Sequence, residues 1–264
     1  MHPDSEKSGG EAGTAAAALR IDGLRKTFGA KTAVDDVSLV VPTGSFFGLV
    51  GPNGAGKTTM LSMAVGLLRP DAGTVELLGA DVWADPVRAK ELLGVLPDGL
   101  ALPERLTGRE LLAFAGSIRG MAPDVVAQRS AELLAVLELD GDDATLVIDY
   151  STGMRKKIGL AVALLHRPRL LVLDEPLEAV DPVSSATIKS ILRAFVDAGG
   201  SVVFSSHVMA VVEQLCDHVG VLAGGRVLAS GPMAEVGSGG LEQRFMDLVG
   251  TEGAGFEGLQ WLAT

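Results

Sequence analysis

The stretch Val50-Gly51-Pro52-Asn53-Gly54-Ala55-Gly56-Lys57-Thr58-Thr59 constrains this chain more than any other. Gly51, Gly54 and Gly56 lack a Cβ, so the segment can turn tightly and bring its backbone close to a ligand. Its successive N–H groups then point inward as an anion nest. A helix starting near Lys57 adds the positive end of its dipole. Lys57 supplies a point charge for the outer phosphates of a nucleotide, and the Thr58 hydroxyl supplies a ligand for Mg²⁺. The spacing of Gly51, Gly56, Lys57 and Thr58 is that of the phosphate-binding loop, G-x-x-x-x-G-K-[ST]. Gly51, Pro52, Asn53, Gly54, Ala55, Gly56, Lys57, Thr58 and Thr59 are therefore the expected nucleotide-binding residues. The flanks agree: 45–50 reads as a short buried strand and 58–65 as a helix, the order in which such a loop works. A glycine-rich turn that binds nothing would require neither Lys57-Thr58 nor these flanks.

A core large enough for one α/β domain is available, because 47 % of the 264 residues are hydrophobic. Strand patterns fall at 19–24, 34–41, 74–79 and 95–96, and again at 169–174, 202–205, 218–222 and 226–229. Helical patterns fall at 86–94, 182–198, 208–216 and 241–249. Asp85-Pro86 reads as an N-cap followed by a proline at the first helical position. Between 99 and 149 the strand patterns stop. Thr107-Gly108-Arg109-Glu110 resembles a capping box, followed by apolar-periodic helices at 111–118 and 124–139, the latter with Leu133, Leu134, Val136 and Leu137 on its apolar side. A helix over 151–165 closes this insert. The expected fold is thus α/β: a P-loop NTPase core with a mostly parallel sheet, an N-terminal antiparallel β subdomain and an inserted α-helical subdomain at about 99–165. The domain spans 19–250. Residues 1–18, polar and then alanine-rich, read as a disordered tail without the pattern of a secretory signal, and 251–264 read as a C-terminal tail.

The formal net charge of −11 argues against a general nucleic-acid binder, which carries a basic footprint. Cys216 is the only cysteine, so no intramolecular disulfide forms, and its apolar helical setting marks it as a small buried hydrophobe. No apolar run reaches the roughly 18–20 residues that span a bilayer.

Leu170-Leu171-Val172-Leu173-Asp174-Glu175 is an apolar strand ending in two carboxylates. A nucleotide-hydrolysing enzyme with a phosphate loop needs acids there. Asp174 would hold Mg²⁺, directly or through water, and Glu175 would orient and deprotonate the attacking water.

Three further stretches carry a resemblance: Tyr150-Ser151-Thr152-Gly153-Met154, Ala179-Val180-Asp181-Pro182 and Phe204-Ser205-Ser206-His207. Together with the loop and the acidic pair, and in this order, they resemble the ATP-binding-cassette (ABC) ATPases over residues 19–249. The first is similar to the family's signature, usually Leu-Ser-Gly-Gly-Gln, matching at Ser151 and Gly153 but not at Tyr150, Thr152 or Met154. Followed by Arg155-Lys156-Lys157, it is similar to a variant of bacterial exporter (ABC-2-like) subunits. Asp181 matches the D-loop aspartate and His207 the switch histidine.

The resemblance implies that two such subunits face each other head to tail with ATP between them. Ser151 and Gly153 would contact the γ-phosphate bound by the partner's loop, and His207 the γ-phosphate in its own subunit. Phe28 stands where the family places an aromatic residue that stacks on adenine; the alternative for Phe28 is a core aromatic. Asp98, in Leu96-Pro97-Asp98, replaces the usual glutamine that links Mg²⁺ or the attacking water to the membrane partner. Its side chain is shorter by about 1.5 Å, which points to contact through water or a shifted loop. Leu177-Glu178 replaces a more usual Thr-Asn pair, a change that the sequence leaves without a physical account. The expected catalytic residues are thus Glu175, His207 and Lys57, the metal-binding residues Thr58, Asp98 and Asp174, and the cofactors ATP and Mg²⁺. The implied function is ATP hydrolysis that powers export through separate transmembrane permease subunits. The expected site of action is the cytoplasmic face of the cell membrane, with a second ATP-binding subunit, a homodimer mate or a paralogue, and with no nucleic acid. The alternative within the family is a soluble ABC ATPase acting on ribosomes or nucleic acid.

Overall fold

The computed structural model describes residues 17–99, 101–142 and 144–250. The expected C-terminal tail, 251–264, and most of the expected N-terminal tail lie outside the described residues. Ala17 and Ala18 do not belong with that tail: they open β1 (Ala17–Phe28), and Ala18 is fully buried.

Two sheets organise the chain. The first is antiparallel, with β1 between β2 (Lys31–Pro42) and β4 (Ala72–Leu77), and β5 (Ala80–Asp81) beyond β4. The second contains β3 (Phe46–Val50), β6 (Leu93–Leu96), β7 (Leu170–Leu173), β8 (Ser201–Ser206), β9 (His218–Ala223) and β10 (Arg226–Pro232), in the order β10-β9-β3-β8-β7-β6. All its pairings are parallel except that of β10 with β9.

A parallel sheet covered on both faces needs strands that are apolar on both sides, and this is why β3 and β7 read as unbroken apolar runs. On β3, Phe46 and Val50 enter one core with Leu171, Leu173, Val202 and Phe204. Phe47 and Leu49 enter the other with Leu170, Val172 and Val203. That second core lies between the two sheets and includes Ile21, Val37 and Leu39 of the antiparallel sheet and Met60 of α1 (Lys57–Ala64). The first core lies under the helices α5 (Thr152–Leu164), α6 (Pro182–Asp197) and α7 (Met209–Leu215), through Ile158, Leu192 and Val212. Each large apolar side chain so buried contributes about 1.5–3 kcal/mol.

The helical insert is present. α3 (Gly108–Ile118) begins with the expected capping box: the Glu110 N–H donates to the Thr107 hydroxyl at 3.2 Å, and the Thr107 N–H donates to the Glu110 carboxylate at 2.9 Å. α4 (Pro123–Val136) stops earlier than the pattern predicts, because Glu138 takes φ +56°. Leu134 and Leu137 are buried, but Val136 is 57 % exposed, contrary to its expected place on the apolar side. At 3.6 residues per turn it lies about 200° from Leu134, on the opposite face. α2 (Pro86–Leu92) is capped by Asp85, which accepts from the Arg88 N–H. α8 (Met233–Val236) and β5 are too short to leave a periodic signal. α9 (Leu241–Val249) closes the described chain against α7.

Candidate functional site

The loop 51–56 joins β3 to α1, and two of its glycines are fixed by close approach. A Cβ on Gly51 would stand 2.1 Å from the Leu222 carbonyl oxygen, and one on Gly56 2.4 Å from that of Ala33. Gly56 also takes φ +105°, which strains any L-residue. The loop is backed by the β9–β10 turn, whose Gly225 N–H donates to the Ala55 carbonyl while its own carbonyl accepts from the Asp35 N–H. The first intrahelical bond of α1 runs from the Met60 N–H to the Gly56 carbonyl. Helix geometry therefore leaves the N–H groups of Lys57, Thr58 and Thr59 without intrahelical acceptors, aimed where an anion would sit.

Residues 52–59 line a cleft of about 390 Å³ together with Lys31, Ala33, Asp98, Glu175, Glu178 and His207. β3, β7 and β8 are parallel neighbours, so their carboxyl ends lie side by side. That edge is where open α/β sheets bind ligands. It brings the loop after β3, the acidic pair after β7 and His207 after β8 to one place.

Lys57 is buried. Its ammonium donates to the Gly51 carbonyl at 2.7 Å and lies 3.5 Å from the Glu175 carboxylate. The other Glu175 oxygen is 3.1 Å from Nδ1 of His207. Asp174 is buried at the end of β7 and accepts the Ser205 hydroxyl at 2.5 Å. The same Ser205 oxygen accepts the Glu175 N–H at 2.9 Å. A single fully buried serine thus fixes both carboxyl residues. Glu175 itself takes φ +45°. Such a backbone costs roughly 1–3 kcal/mol. Its N–H is held by Ser205, and its carbonyl accepts from the Lys156 ammonium at 2.9 Å and the Glu178 N–H at 3.2 Å. At about 0.5–1.5 kcal/mol each, these bonds offset the strain.

The other expected site residues lie off the wall of this cleft. Gly51 supplies the carbonyl that anchors Lys57. Asp174 stands behind the wall, reached through Ser205. Phe28, at the end of β1, is 50 % exposed with the Lys26 ammonium 5.7 Å from its ring centroid, so it is not a core aromatic. Ser151 caps α5 by accepting the Met154 N–H. Gly153 lies against Asp181, which would be 3.5 Å from a Cβ placed there. Asp181 caps α6 by accepting from Val183 and Ser184. The Ser184 hydroxyl and backbone N–H hold its carboxyl below the usual carboxylate range. Ser151, Gly153 and Asp181 therefore form their own neighbourhood, apart from the loop.

Lys31, Ala33, Glu178, Ser205 and Lys156 belong to the site or its support and were not among the expected residues. Lys31 and Ala33 enter by the pairing of β2 with β1, which no local motif reports. Ser205 and Glu178 sit inside stretches singled out in the sequence. What distinguishes Ser205 from Ser206, which is buried too, is its bonds to Asp174 and Glu175.

With its anion nest, buried lysine and a carboxylate between a lysine and a histidine, the cleft can bind a polyphosphate and activate a water beside it. A family profile described as ABC transporter matches residues 34–178. The linearmycin resistance ATP-binding protein LnrL of Bacillus subtilis (strain 168) is 34 % identical over 218 residues, covering 83 % of this chain and 70 % of that protein. The daunorubicin/doxorubicin resistance ATP-binding protein DrrA of Streptomyces peucetius is 37 % identical over 221 residues, 84 % of this chain and 67 % of its own. The Nod factor export ATP-binding protein I of Rhizobium sp. (strain N33) is 37 % identical over 214 residues, 81 % and 70 % of the two chains. A solved ATP-binding subunit of an ABC transporter superposes with a TM-score of 0.81 at 26 % identity, over 88 % of this chain and 99 % of that one.

Proposed function

This chain belongs to the ABC transporter family as one of its ATP-binding, ATP-hydrolysing subunits, and from that premise we propose that it powers export through separate membrane-spanning permease subunits. The observation that carries the reading is Glu175, set between Lys57 and His207 in the phosphate-loop cleft. In this reading the loop N–H groups and Lys57 bind the β- and γ-phosphates of ATP. Glu175 takes the proton of the attacking water, a step worth about 10²–10⁴ in rate. His207 contacts the γ-phosphate and orients Glu175, and the Phe28 ring, exposed at the end of β1, stacks on adenine. Ser151 and Gly153 engage the γ-phosphate held by a second ATP-binding subunit, and Asp181 lines the same interface. Their position apart from the cleft supports a site completed by a second copy or a paralogue.

Thr58, Asp98 and Asp174 offer hard oxygen donors of the kind Mg²⁺ takes. Among the described residues no cluster of three or more His, Cys, Asp or Glu side chains could hold a metal alone. One or two protein oxygens completed by phosphate and water is the usual Mg²⁺ arrangement at nucleotide sites. The residues present therefore fit this ion, which when bound supplies charge neutralisation on the phosphates.

Among the described residues no helix is long and apolar enough to cross a membrane. A permease would dock on the helical insert. Val87 on α2 and Phe114 and Ile118 on α3 are exposed, by 70 %, 48 % and 69 %. The Arg119 guanidinium donates to the Lys90 carbonyl at 3.2 Å, drawing the end of α3 against α2. Phe114 and Ile118, four residues apart, share one face of α3, and exposed apolar side chains on one face suit an interaction surface. Docking there would hold the subunit on the inner face of the cell membrane.

The test uses a tagged Glu175→Gln chain expressed in its own host, with membranes solubilised in detergent, Mg²⁺ and ATP. A multi-span membrane protein should co-purify, and Ile118→Asp should release it. Recovery of ribosomes or nucleic acid without a membrane protein would overturn the transport reading.

A further inference from the structure

The three basic side chains that follow the signature-like turn diverge, because successive helical residues point about 100° apart. Arg155 turns to the Ile148 carbonyl and to Glu104. Lys157 is buried against Glu138. Lys156 alone reaches the active site: its ammonium donates to the carbonyl of Glu175 at 2.9 Å. It makes this contact with the one residue of the acidic pair whose backbone is strained, at φ +45°. That backbone sets where the Glu175 side chain starts, and Lys57 and His207 hold the carboxylate at its end. Two anchors hold the backbone from outside the turn, Ser205 at the N–H and Lys156 at the carbonyl.

The two anchors sit on different kinds of element. Ser205 belongs to β8, inside the fixed parallel sheet. Lys156 belongs to α5, whose N-cap is Ser151 and whose first turn contains Gly153. Ser151 and Lys156 are about 7.5 Å apart along a rigid helix axis. A displacement of the N-terminal turn of α5 therefore moves the backbone that carries Lys156, and with it the anchor of its contact to the Glu175 carbonyl.

We propose that Lys156 is a positioning residue that ties the water-activating carboxylate of one nucleotide site to the helix that reads the γ-phosphate of the other. This rests on the ATPase reading above, in which Ser151 and Gly153 face the ATP bound by the second subunit. When that phosphate seats α5, Lys156 fixes the Glu175 peptide and aims its carboxylate in the same subunit. The two sites then fire in a coupled way.

The test is steady-state ATP hydrolysis by the purified full chain with Mg²⁺, comparing wild type, Lys156→Met and Lys156→Arg, with thermal unfolding as a control. Misplacing a catalytic group by about 1 Å costs up to roughly 100-fold. Lys156→Met should accordingly lower kcat by about 10- to 100-fold, leave KM for ATP within about twofold and bring the Hill coefficient towards one. Lys156→Arg should restore kcat and cooperativity. In a Glu175→Gln background, ATP-driven dimerisation measured by light scattering should survive Lys156→Met. If Lys156→Met does not fold, Lys156→Gln is measured in the same way. Unchanged kcat and Hill coefficient would overturn the proposal, as would loss of the ATP-driven dimer or failure of arginine to restore turnover. Absence of both hydrolysis by wild type and ATP-driven dimerisation of Glu175→Gln would instead strike the ATPase reading itself.

Discussion

Ser205 is fully buried and bonds to both members of the acidic pair, giving its hydroxyl proton to Asp174 and taking the N–H of Glu175. Removing that hydroxyl leaves a buried carboxylate oxygen without its donor, at a cost of about 1–3 kcal/mol. It also frees one anchor of a strained peptide. Ser205→Ala is therefore expected to lower the melting temperature by roughly 3–10 °C and to reduce kcat by about 10- to 100-fold. A calorimetric scan and an ATPase assay on the same preparation check this, and a fall in stability with full turnover would contradict it. The acidic pair itself was legible from the sequence, since two carboxylates at the end of an apolar strand are a local pattern. The serine that holds them was not, because its partners lie 30 and 31 positions away in sequence. Glu178 gains a location in the same way: it lines the cleft. Leu177 is partly buried and packs against the first core, a use for an apolar residue at that position.

At the scale of the element, the local signals were strongest where a cap fixes a helix start. Asp85-Pro86 and Thr107 with Glu110 each open a helix at the residue the sequence marks, and the structure adds Ser151 and Asp181 as the caps of α5 and α6. The cap at Thr107 has a measurable consequence. Thr107→Ala removes the hydroxyl that accepts from Glu110 and should cost about 1 kcal/mol, read as a shift in the urea midpoint. Thr107 is not in the wall of the nucleotide cleft, so ATP turnover by the isolated chain should be unchanged. Helix ends were less legible. α4 stops where Glu138 enters the left-handed region, and Val136 faces away from the core that takes Leu134. An apolar residue fits the periodic pattern on either side when its neighbours are apolar as well, and only packing decides which side is buried.

For the whole molecule, one buried titratable group ties stability to pH. His166 follows α5, with Nε2 3.0 Å from the Leu93 carbonyl and Nδ1 buried without a partner. Burial first, and then the nearby Arg119 charge, lower its pKa from 6.5 to about 4. Between those values the unfolded chain binds more protons than the folded one, so stability rises with pH over that window. Acidification through it withdraws the contribution. His166→Gln keeps a donor for Leu93 and removes the titration. Its melting temperature should fall less steeply than that of wild type between pH 6.5 and about 4, and the two curves should run parallel above that window. Parallel curves throughout would mean that His166 is not the group responsible.

The sequence by itself determined the phosphate loop, the acidic pair, the helix caps and the alternation of strand and helix. Each of these is written within a few consecutive residues, as a missing Cβ, a capping oxygen or an apolar period. Only the tertiary structure decided what these pieces meet. Pairing β3 with β8 joins residues 46–50 to 202–206, and pairing β7 with β8 brings Asp174 to Ser205. The same packing puts Lys31, Asp98 and Glu178 in one cleft with Lys57. It also leaves Ser151, Gly153 and Asp181 outside that cleft and points Lys156 at Glu175. Contacts between residues so far apart in the chain depend on how two sheets and a helical insert bury their apolar faces together. No short stretch of sequence records that arrangement.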